Sequence, residues 1–264
     1  MSKNPVEALS GFAIITGASS GIGLELARCA AADGCDLLLV ALDDMTEAAA
    51  IAHAAGAASV ETLVADLATR EGLDAVLEQI GPRPVAALFA NAGAGQGGAF
   101  LGQEWSAIAR TIHTNVTGTV ALVHAIGRRM REQGLGRILI TGSIVGDIPG
   151  AFNLTYNSTK SFLNDFSVGL AEELKNSPVV VSCLLPGATD TPFFEKAGME
   201  DTIIGNAPKA DPAKVARDGY QALLAGETQE VSGLFNKMQS LFADLMPDEL
   251  VARLHRVVAG PRGA

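Results

Sequence analysis

The chain repeats one arrangement, in which a short apolar run ends in a polar or glycine-rich turn and an amphipathic stretch follows. The first run, Phe12–Thr16, leads into the turn Thr16-Gly17-Ala18-Ser19-Ser20-Gly21-Ile22-Gly23 and then into a helical pattern that ends near Ala32. Runs that are apolar throughout predict strands buried on both faces, as in parallel sheets covered by helices. Similar runs begin at Cys35, Val60, Val85, Arg137 and Val179, and a short one covers Glu230–Ser232. We therefore predict an α/β fold, a doubly wound parallel sheet of about seven strands with helices on both faces.

The composition agrees with this fold and argues against a nucleic-acid-binding protein. Apolar residues make up 48% of the 264 residues, enough for a large continuous core, and no stretch has the composition of a linker. We expect one domain spanning 1–264, with its core over about 12–233 and a helical C-terminal extension over 234–264. The net charge of −10, without a Lys/Arg cluster, argues against nucleic acid as a partner. The chain shows no leader pattern and no apolar run long enough to span a membrane, so we expect a soluble cytoplasmic protein.

Cysteine and histidine give no sign of a metal or redox site. The cysteines Cys29, Cys35 and Cys183 show no C-x-x-C spacing, and we interpret them as small buried apolar side chains. The four histidines lie on separate segments without metal-ligand spacing. We predict no metal site.

The glycine turn after the first strand suits a dinucleotide. Gly21 and Gly23 fall in the first turn of the following helix, where free backbone N–H groups and the positive end of the helix dipole favour a pyrophosphate. A glycine triplet also serves a plain strand-to-helix turn, which is the alternative explanation.

The end of the second strand selects between the two nicotinamide cofactors. An acidic side chain there binds the ribose 2′-OH of NAD, whereas a basic one accepts the 2′-phosphate of NADP. The segment reads Ala41-Leu42-Asp43-Asp44, and neither Ser19 nor Ser20 in the glycine turn is basic. NAD is favoured on charge grounds, although Asp43 or Asp44 would also suit a cap on the helix that starts near Met45.

Polar residues follow the later strands. Strand three ends at Asp66-Leu67, where Asp66 either hydrogen-bonds an adenine edge or caps a helix, and strand four ends at Asn91-Ala92-Gly93. A long helical pattern then breaks near Asn115, a residue that either has a functional use or satisfies a kinked backbone. Strand five ends at Ser143, and the carboxyl ends of parallel strands form the ligand cleft in open α/β sheets.

Tyr156 and Lys160 complete the pattern. Residues four apart on a helix share a face, so the phenol and the ammonium project together. A cation within a few ångströms lowers the pKa of a phenol, and we expect Lys160 to prepare Tyr156 for acid-base catalysis in this way. Taken alone, a tyrosine and a lysine at this spacing are common on amphipathic helices.

These features, in this order, resemble the short-chain dehydrogenase/reductase family in its compact branch, and in particular uncharacterised bacterial oxidoreductases of that family. The resemblance runs from about Phe12 to Ser232 and implies a Rossmann-like fold and an NAD(P)-dependent oxidoreductase that interconverts an alcohol and a carbonyl. It also implies the catalytic roles. Tyr156 would exchange the proton, Ser143 would hold the substrate oxygen, Lys160 would bind the nicotinamide ribose, and Asn115 would hold a water linking Lys160 to solvent.

The resemblance implies cofactor contacts along the whole cleft. Glycines of the first turn would meet the phosphates, and the segment after strand six would hold the nicotinamide carboxamide. The residues expected at the cofactor are Gly17, Ser19, Ser20, Gly21, Ile22, Gly23, Asp43, Asp66, Leu67, Asn91, Ala92, Gly93, Tyr156, Lys160, Pro186, Gly187, Thr189 and Thr191.

Substrate and assembly are less specified. The residues predicted to line the substrate side are apolar (Ile144, Val145, Ile148, Phe152, Phe193, Phe194 and Met199), which suggests a small, uncharged and rather apolar alcohol or carbonyl. The resemblance implies a homodimer or homotetramer. Two other functions fit the same fold, a dinucleotide-binding regulatory or scaffold protein without chemistry, and an epimerase or dehydratase that uses the cofactor transiently.

Overall fold

The computed structural model describes residues 5–233 and 246–260. The strands are β1 Phe12–Thr16, β2 Asp36–Ala41, β3 Ser59–Val64, β4 Ala87–Ala90, β5 Gly136–Thr141, β6 Val179–Leu185 and β7 Gln229–Val231. The helices are α1 Gly21–Ala32, α2 Thr46–Ala55, α3 Arg70–Ile80, α4 Trp105–Ile112, α5 Thr119–Gln133, α6 Leu154–Glu173, α7 Phe193–Lys196, α8 Pro212–Ala225 and α9 Asp248–Ala259.

The strands form one parallel sheet of seven, in the order β3-β2-β1-β4-β5-β6-β7. The predicted α/β fold with a doubly wound parallel sheet is confirmed. Because β1 has β2 on one side and β4 on the other, the chain reverses its direction of growth between them. A crevice forms at such a reversal, outside the carboxyl ends of the strands.

Each face of the sheet carries its own apolar core. Alternate residues of a strand point to opposite faces, so Ile15 packs with α1, α2 and α8, whereas its neighbour Ile14 packs with α3, α5 and α6. The central strands are buried along their whole length, which explains why their sequences are apolar throughout rather than alternating.

The long helical pattern is broken where the sequence indicates. Helix α4 ends at Ile112, a π-helical segment covers His113–Gly118, and α5 follows. A Cβ built on Gly118 would lie 2.5 Å from the Leu67 carbonyl oxygen, so a glycine is needed where this helix passes the end of β3. The break places Asn115 inside the π-helical segment, a feature often associated with functional sites.

The C-terminal part is described only over 246–260, where α9 packs near the site. Residues 234–245 of the predicted helical extension lie outside the described residues. Among the described residues, no helix is both long and apolar enough to cross a membrane.

Candidate active site

A cavity of about 350 Å³ opens at the carboxyl ends of the central strands. It is lined by nearly all the residues predicted to contact a cofactor or to act in catalysis. Only Gly23 and Asn115 of that set do not line it. The topology therefore brings together side chains from the ends of β1, β2, β3, β4, β5 and β6.

The glycine turn between β1 and α1 forms one wall. Gly17 and Gly21 adopt positive φ values of +67° and +56°, a region that favours glycine. A Cβ on Gly17 would lie 2.9 Å from the Ala92 Cα, so the turn also packs tightly against the end of β4. Helix α1 begins at Gly21 without a side-chain cap and without an acidic residue in its first turn. Its N-terminal N–H groups are thus open to an anion.

Gly23 has a packing role rather than a place on the cavity wall. A Cβ there would lie 2.1 Å from the Gly17 carbonyl oxygen and 2.6 Å from the Asn91 Nδ2 atom. A side chain at this position would therefore collide with the turn and with Asn91, and the predicted contact of Gly23 with the cofactor phosphates stays a prediction.

Asn91 ties the ends of three strands together. Its Nδ2 atom donates to the Thr16 carbonyl oxygen at 3.2 Å, and its Oδ1 atom accepts from the Thr141 hydroxyl at 3.1 Å. The Thr16 hydroxyl oxygen in turn accepts from the backbone N–H groups of Asn91 and Ala92, both at 3.0 Å. These part-buried hydrogen bonds link the ends of β1, β4 and β5 at the cavity.

Tyr156 and Lys160 project from α6 into the cavity beside Ser143. The Ser143 hydroxyl donates to the Pro186 carbonyl oxygen at 3.3 Å and accepts from the Val145 N–H at 3.3 Å, and it lies near enough to the Tyr156 phenol to affect its pKa. Lys160 is 3% exposed, and its ammonium donates to the Thr141 carbonyl oxygen at 2.6 Å and lies 5.7 Å from the centre of the Tyr156 ring. The predicted trio is thus assembled around one point at the end of β5.

The electrostatics of this trio differ from the sequence-based expectation. Burial raises the pKa of Tyr156 above its ordinary value, and the hydrogen bond with Ser143 only partly opposes this. The expected lowering by Lys160 is not found, since burial dominates the shift of Tyr156, and burial also lowers the pKa of Lys160, to about 8. The phenol is therefore protonated at neutral pH, the form that donates a proton.

Asn115 supports the site from below the cavity. Its side chain is fully buried, accepts from the Ala94 N–H at 2.7 Å and donates to the Ala94 carbonyl oxygen at 2.8 Å and to the Thr159 hydroxyl at 2.9 Å. A Cβ built on Gly93 would lie 3.5 Å from both the Asn115 Oδ1 atom and the Lys160 Nζ atom. Asn115 thus fixes the loop after β4 next to Lys160, which gives this mid-helix asparagine a use.

Asn164, which the sequence pattern did not single out, positions Ser143. Its Oδ1 atom accepts from the Ser143 N–H at 3.3 Å, and its Nδ2 atom donates to the Ser143 carbonyl oxygen at 2.9 Å and to Asp147 at 3.0 Å. It lies on α6 one turn beyond Lys160, and this spacing was the only signal that could have pointed to it.

At the far end of the cavity two acidic residues meet basic partners. Asp43 accepts from the Lys196 ammonium at 2.6 Å, and that hydrogen bond holds the pKa of Asp43 below its ordinary value. Asp66 accepts from the Arg110 guanidinium at 2.9 Å and from the Ala68 N–H at 3.0 Å. Asp44 instead accepts from the Thr46 N–H at 3.0 Å and so takes the helix-capping role that Asp43 was also considered for.

The segment after β6 closes the cavity from above. It supplies Pro186, Gly187, Thr189 and Thr191, and Thr191 packs against the Gly21 position of the glycine turn.

Of the residues predicted for the substrate side, the cavity is lined by Val145, Phe193, Phe194 and Met199. Ile144 instead packs with Cys183 and Leu185, and neither Ile148 nor Phe152 lines the cavity. Lys196 also lines it, and Asn153, Arg110 and Ile204 line it without having been predicted.

Known proteins are similar to this chain in sequence and in architecture. The chain is 34% identical over 190 residues to human 17-beta-hydroxysteroid dehydrogenase type 1, a match that covers 69% of this chain but only 58% of that longer relative. A short-chain dehydrogenase from Sphingobium yanoikuyae, solved in complex with NADPH, superposes with a TM-score of 0.79 at 31% identity, covering 89% of this chain and 95% of that one. The bulky-bulky ketone specific alcohol dehydrogenase from Comamonas testosteroni superposes with a TM-score of 0.75 at 29% identity, covering 89% and 93%.

A family model described as short chain dehydrogenase matches residues 11–201. This range includes β1 through β6, the glycine turn, Ser143, Tyr156 and Lys160. The chain therefore belongs to the short-chain dehydrogenase family of NAD(P)-dependent oxidoreductases.

Proposed function

We propose that the protein interconverts an alcohol and a carbonyl with NAD, using Tyr156, Ser143, Lys160 and Asn115 as its catalytic residues. The observation that carries this proposal is that Ser143, Tyr156 and Lys160 line the wall of one cavity, with the Lys160 ammonium 5.7 Å from the centre of the Tyr156 ring. Two hydroxyls that meet at one point bind a single oxygen atom, such as that of a carbonyl.

The residues present fit a dinucleotide. Gly17 and Gly21 have positive φ and carry no side chain, so a pyrophosphate can approach the backbone of this turn closely. The uncapped start of α1 offers N–H donors to it. The same cavity is also lined by Leu67, Asn91, Ala92, Gly93, Pro186, Gly187, Thr189 and Thr191. When bound, the nicotinamide supplies or accepts the hydride.

The protein's own part is to orient the substrate oxygen and to move one proton. Ser143 donates a hydrogen bond to the carbonyl oxygen, and Tyr156, protonated because of its burial, transfers its proton to that oxygen. Lys160, whose ammonium lies 5.7 Å from the centre of the Tyr156 ring, would return a proton to Tyr156. In alcohol oxidation the same residues act in reverse.

NAD is the cofactor that we propose for this chemistry. The Asp43 carboxylate stays ionised because its pKa is lowered, so it can accept hydrogen bonds from ribose hydroxyls and would repel a 2′-phosphate. Lys196 is the observation that opposes this choice, since it brings a positive charge to the same place. Titration of the protein with NADH and separately with NADPH measures which nucleotide binds more tightly. Tighter binding of NADPH would overturn the choice of NAD.

We propose an uncharged, largely apolar substrate. Val145, Phe193, Phe194, Met199 and Ile204 line the cavity that holds Tyr156, and the Phe193 ring lies 4.9 Å from the Tyr156 ring. The human relative is named for a hydroxysteroid and the Comamonas enzyme for bulky ketones, which agrees with this wall in character.

The exchange of Tyr156 for phenylalanine tests the mechanism. We expect Tyr156→Phe to reduce turnover of ketones found in a screen with the wild type by about 10²–10⁴-fold, while NADH binding stays within threefold. Tyr220→Phe is a matched control, because the Tyr220 hydroxyl donates to Asp33 at 2.6 Å outside the cavity. Turnover by Tyr156→Phe at the wild-type rate would refute the assignment, as would an equal loss in Tyr220→Phe.

We also propose a homodimer or homotetramer in the cytoplasm. Large apolar side chains are exposed on α4 and α6, namely Trp105, Phe162 and Val168. Their burial between subunits would remove apolar area from water. Light scattering gives the mass, and we expect Phe162→Glu to lower it, whereas a monomeric wild type would contradict the proposal.

A further inference from the structure

The order of the strands indicates which end of the cavity takes the adenosine half of a dinucleotide. The glycine turn after β1 suits the pyrophosphate, and the sheet has β5, with Ser143 just after it, on one side of β1 and has β2 and β3 on the other. A cofactor whose nicotinamide lies beside Tyr156 therefore extends its adenine towards the ends of β2 and β3. Leu42 and Asp66, which follow these two strands, line the cavity there.

Arg110 brings a guanidinium to this end of the cavity from α4. Its Nη2 atom donates to Asp66 Oδ2 at 2.9 Å, while Asp66 Oδ1 accepts from the Ala68 N–H at 3.0 Å, so the carboxylate that holds the guanidinium is itself tied to the backbone. Arg110 lines the cavity, and its side chain is 49% exposed. A guanidinium has five N–H donors, and this is the one hydrogen bond that Arg110 makes with other described residues.

Stability gives little reason for this pair, and its chemistry suits a flat ligand. An ion pair between partly exposed side chains contributes only about 0–1 kcal/mol. A guanidinium is planar and stacks on aromatic faces, including those of nucleic-acid bases. Leu42, which is 51% exposed at the end of β2, adds apolar surface to the same cavity. Because Asp66 already offsets the positive charge of Arg110, a neutral base suits this guanidinium better than a phosphate.

We propose that Arg110 is a cofactor-binding residue whose guanidinium, held in place by Asp66, stacks on the adenine base. This rests on the proposed function and deepens it. Asp66 then has a second role besides the adenine contact expected from the sequence, because it positions Arg110. NADH and NADPH carry the same base, so Arg110 contributes equally to the affinity of both.

The exchange of Arg110 for leucine tests this by nucleotide titration of the full chain. Fluorescence titrations of Arg110→Leu with NADH and with NADPH should each show affinity about five- to tenfold below that of the wild type, because the stacked cation is lost. Reduced nicotinamide cytosine dinucleotide differs from NADH in having a smaller base. The preference of the wild type for NADH over this analogue should fall in Arg110→Leu, since a smaller ring gains less from the guanidinium plane.

Two further variants separate stacking from charge and from general effects. Arg110→Lys keeps the positive charge without the plane, so it should lose nearly as much affinity as Arg110→Leu, and it carries the same expectation if the leucine variant fails to fold. Arg70→Leu is the matched control. Arg70 pairs with Asp74 at 2.8 Å on α3 and does not line the cavity. We expect Arg70→Leu to keep wild-type affinity for both nucleotides within about twofold, because an exposed pair of this kind contributes little.

The outcomes distinguish this inference from the proposed function. Wild-type NADH affinity in Arg110→Leu would overturn the inference, as would full affinity in Arg110→Lys. A loss confined to NADPH would also overturn it, because Arg110 would then bind the 2′-phosphate. If the wild type binds neither nucleotide, both the inference and the proposed cofactor fail. Ketone turnover is followed with the same preparations, and a loss of affinity in the Arg110 variants without any turnover by the wild type would support the role of Arg110 while contradicting the proposed reaction.

Discussion

The Lys196 ammonium lies 2.6 Å from the Asp43 carboxylate and so joins α7 to the turn after β2, across the cofactor end of the cavity. Both side chains are more than half exposed, and such a pair contributes little to stability. Its importance lies in placing one acid and one base where the two nicotinamide cofactors differ.

Removing the acid and removing the base of this pair should weaken the binding of different nucleotides. Asp43→Asn should weaken NADH binding by about tenfold, because a charged acceptor of ribose hydrogen bonds is lost. Lys196→Ala should leave NADH binding within threefold and weaken NADPH binding, since a positive charge near a 2′-phosphate is removed. Fluorescence titrations of both nucleotides measure this, and a large loss of NADH affinity in Lys196→Ala alone would show that Lys196 rather than Asp43 holds the ribose.

Asn164 is expected to act through Ser143. Asn164→Ala removes the hydrogen bonds to both backbone groups of Ser143, so the hydroxyl loses its fixed direction. We expect kcat to fall by about tenfold or more with KM for the nucleotide unchanged. Asn164→Gln keeps both the acceptor and the donor on a longer side chain and should lose less. Equal effects of the two substitutions on kcat would point to a general loss of structure instead.

Lys160 should make stability depend on pH. Its pKa is about 8 in the folded protein and 10.5 in its ordinary state, so between these values the unfolded chain binds more protons and the free energy of unfolding rises with pH. Below pH 8 the group is protonated in both states and this gain is absent. Between pH 8 and pH 9.5 we expect wild type to gain about 1–2 kcal/mol relative to Lys160→Met.

Urea unfolding of the cofactor-free proteins at both pH values measures that difference. Half-buried Cys29 and buried Cys35, whose pKa values burial raises to about 11, oppose the trend in both proteins, so their effects cancel in the comparison. A difference that does not grow with pH would mean that Lys160 keeps its ordinary pKa.

We expect Gly23→Ala to destabilise the fold strongly, because Gly23 is buried and tightly surrounded. The new methyl group would meet the Gly17 carbonyl oxygen and the Asn91 side chain, both within 2.6 Å, and neither can move without opening the turn against β4. We expect a loss of several kcal/mol in the free energy of unfolding and loss of nucleotide binding. Gly34→Ala serves as a control because nothing lies within 4 Å of its Cβ, although its φ of +78° brings some strain. Equal and small effects at both positions would contradict the packing role of Gly23.

Several features follow from the sequence alone because they depend on local periodicity. Apolar runs without alternation predict strands covered on both sides, and the parallel sheet of seven strands has this form. Glycines between a strand and a helix predict a turn open to an anion, and the positive φ values at Gly17 and Gly21 agree. The four-residue spacing of Tyr156 and Lys160 likewise predicts a common face, which both residues show by lining one cavity.

Other features depend on tertiary structure, because they arise where segments distant in the chain meet. Lys196 reaches Asp43 across 153 positions, and no local pattern relates the two. The pKa values of Tyr156 and Lys160 are set by burial, which depends on what the sheet and the loops place over them, so the spacing alone suggested the wrong direction for Tyr156. The contact of Arg110 with Asp66 is likewise visible only in the fold, since the two residues lie 44 positions apart in the chain. Sequence periodicity thus determined the scaffold and the main residues of the site, whereas the packing of distant segments decided their charges and partners.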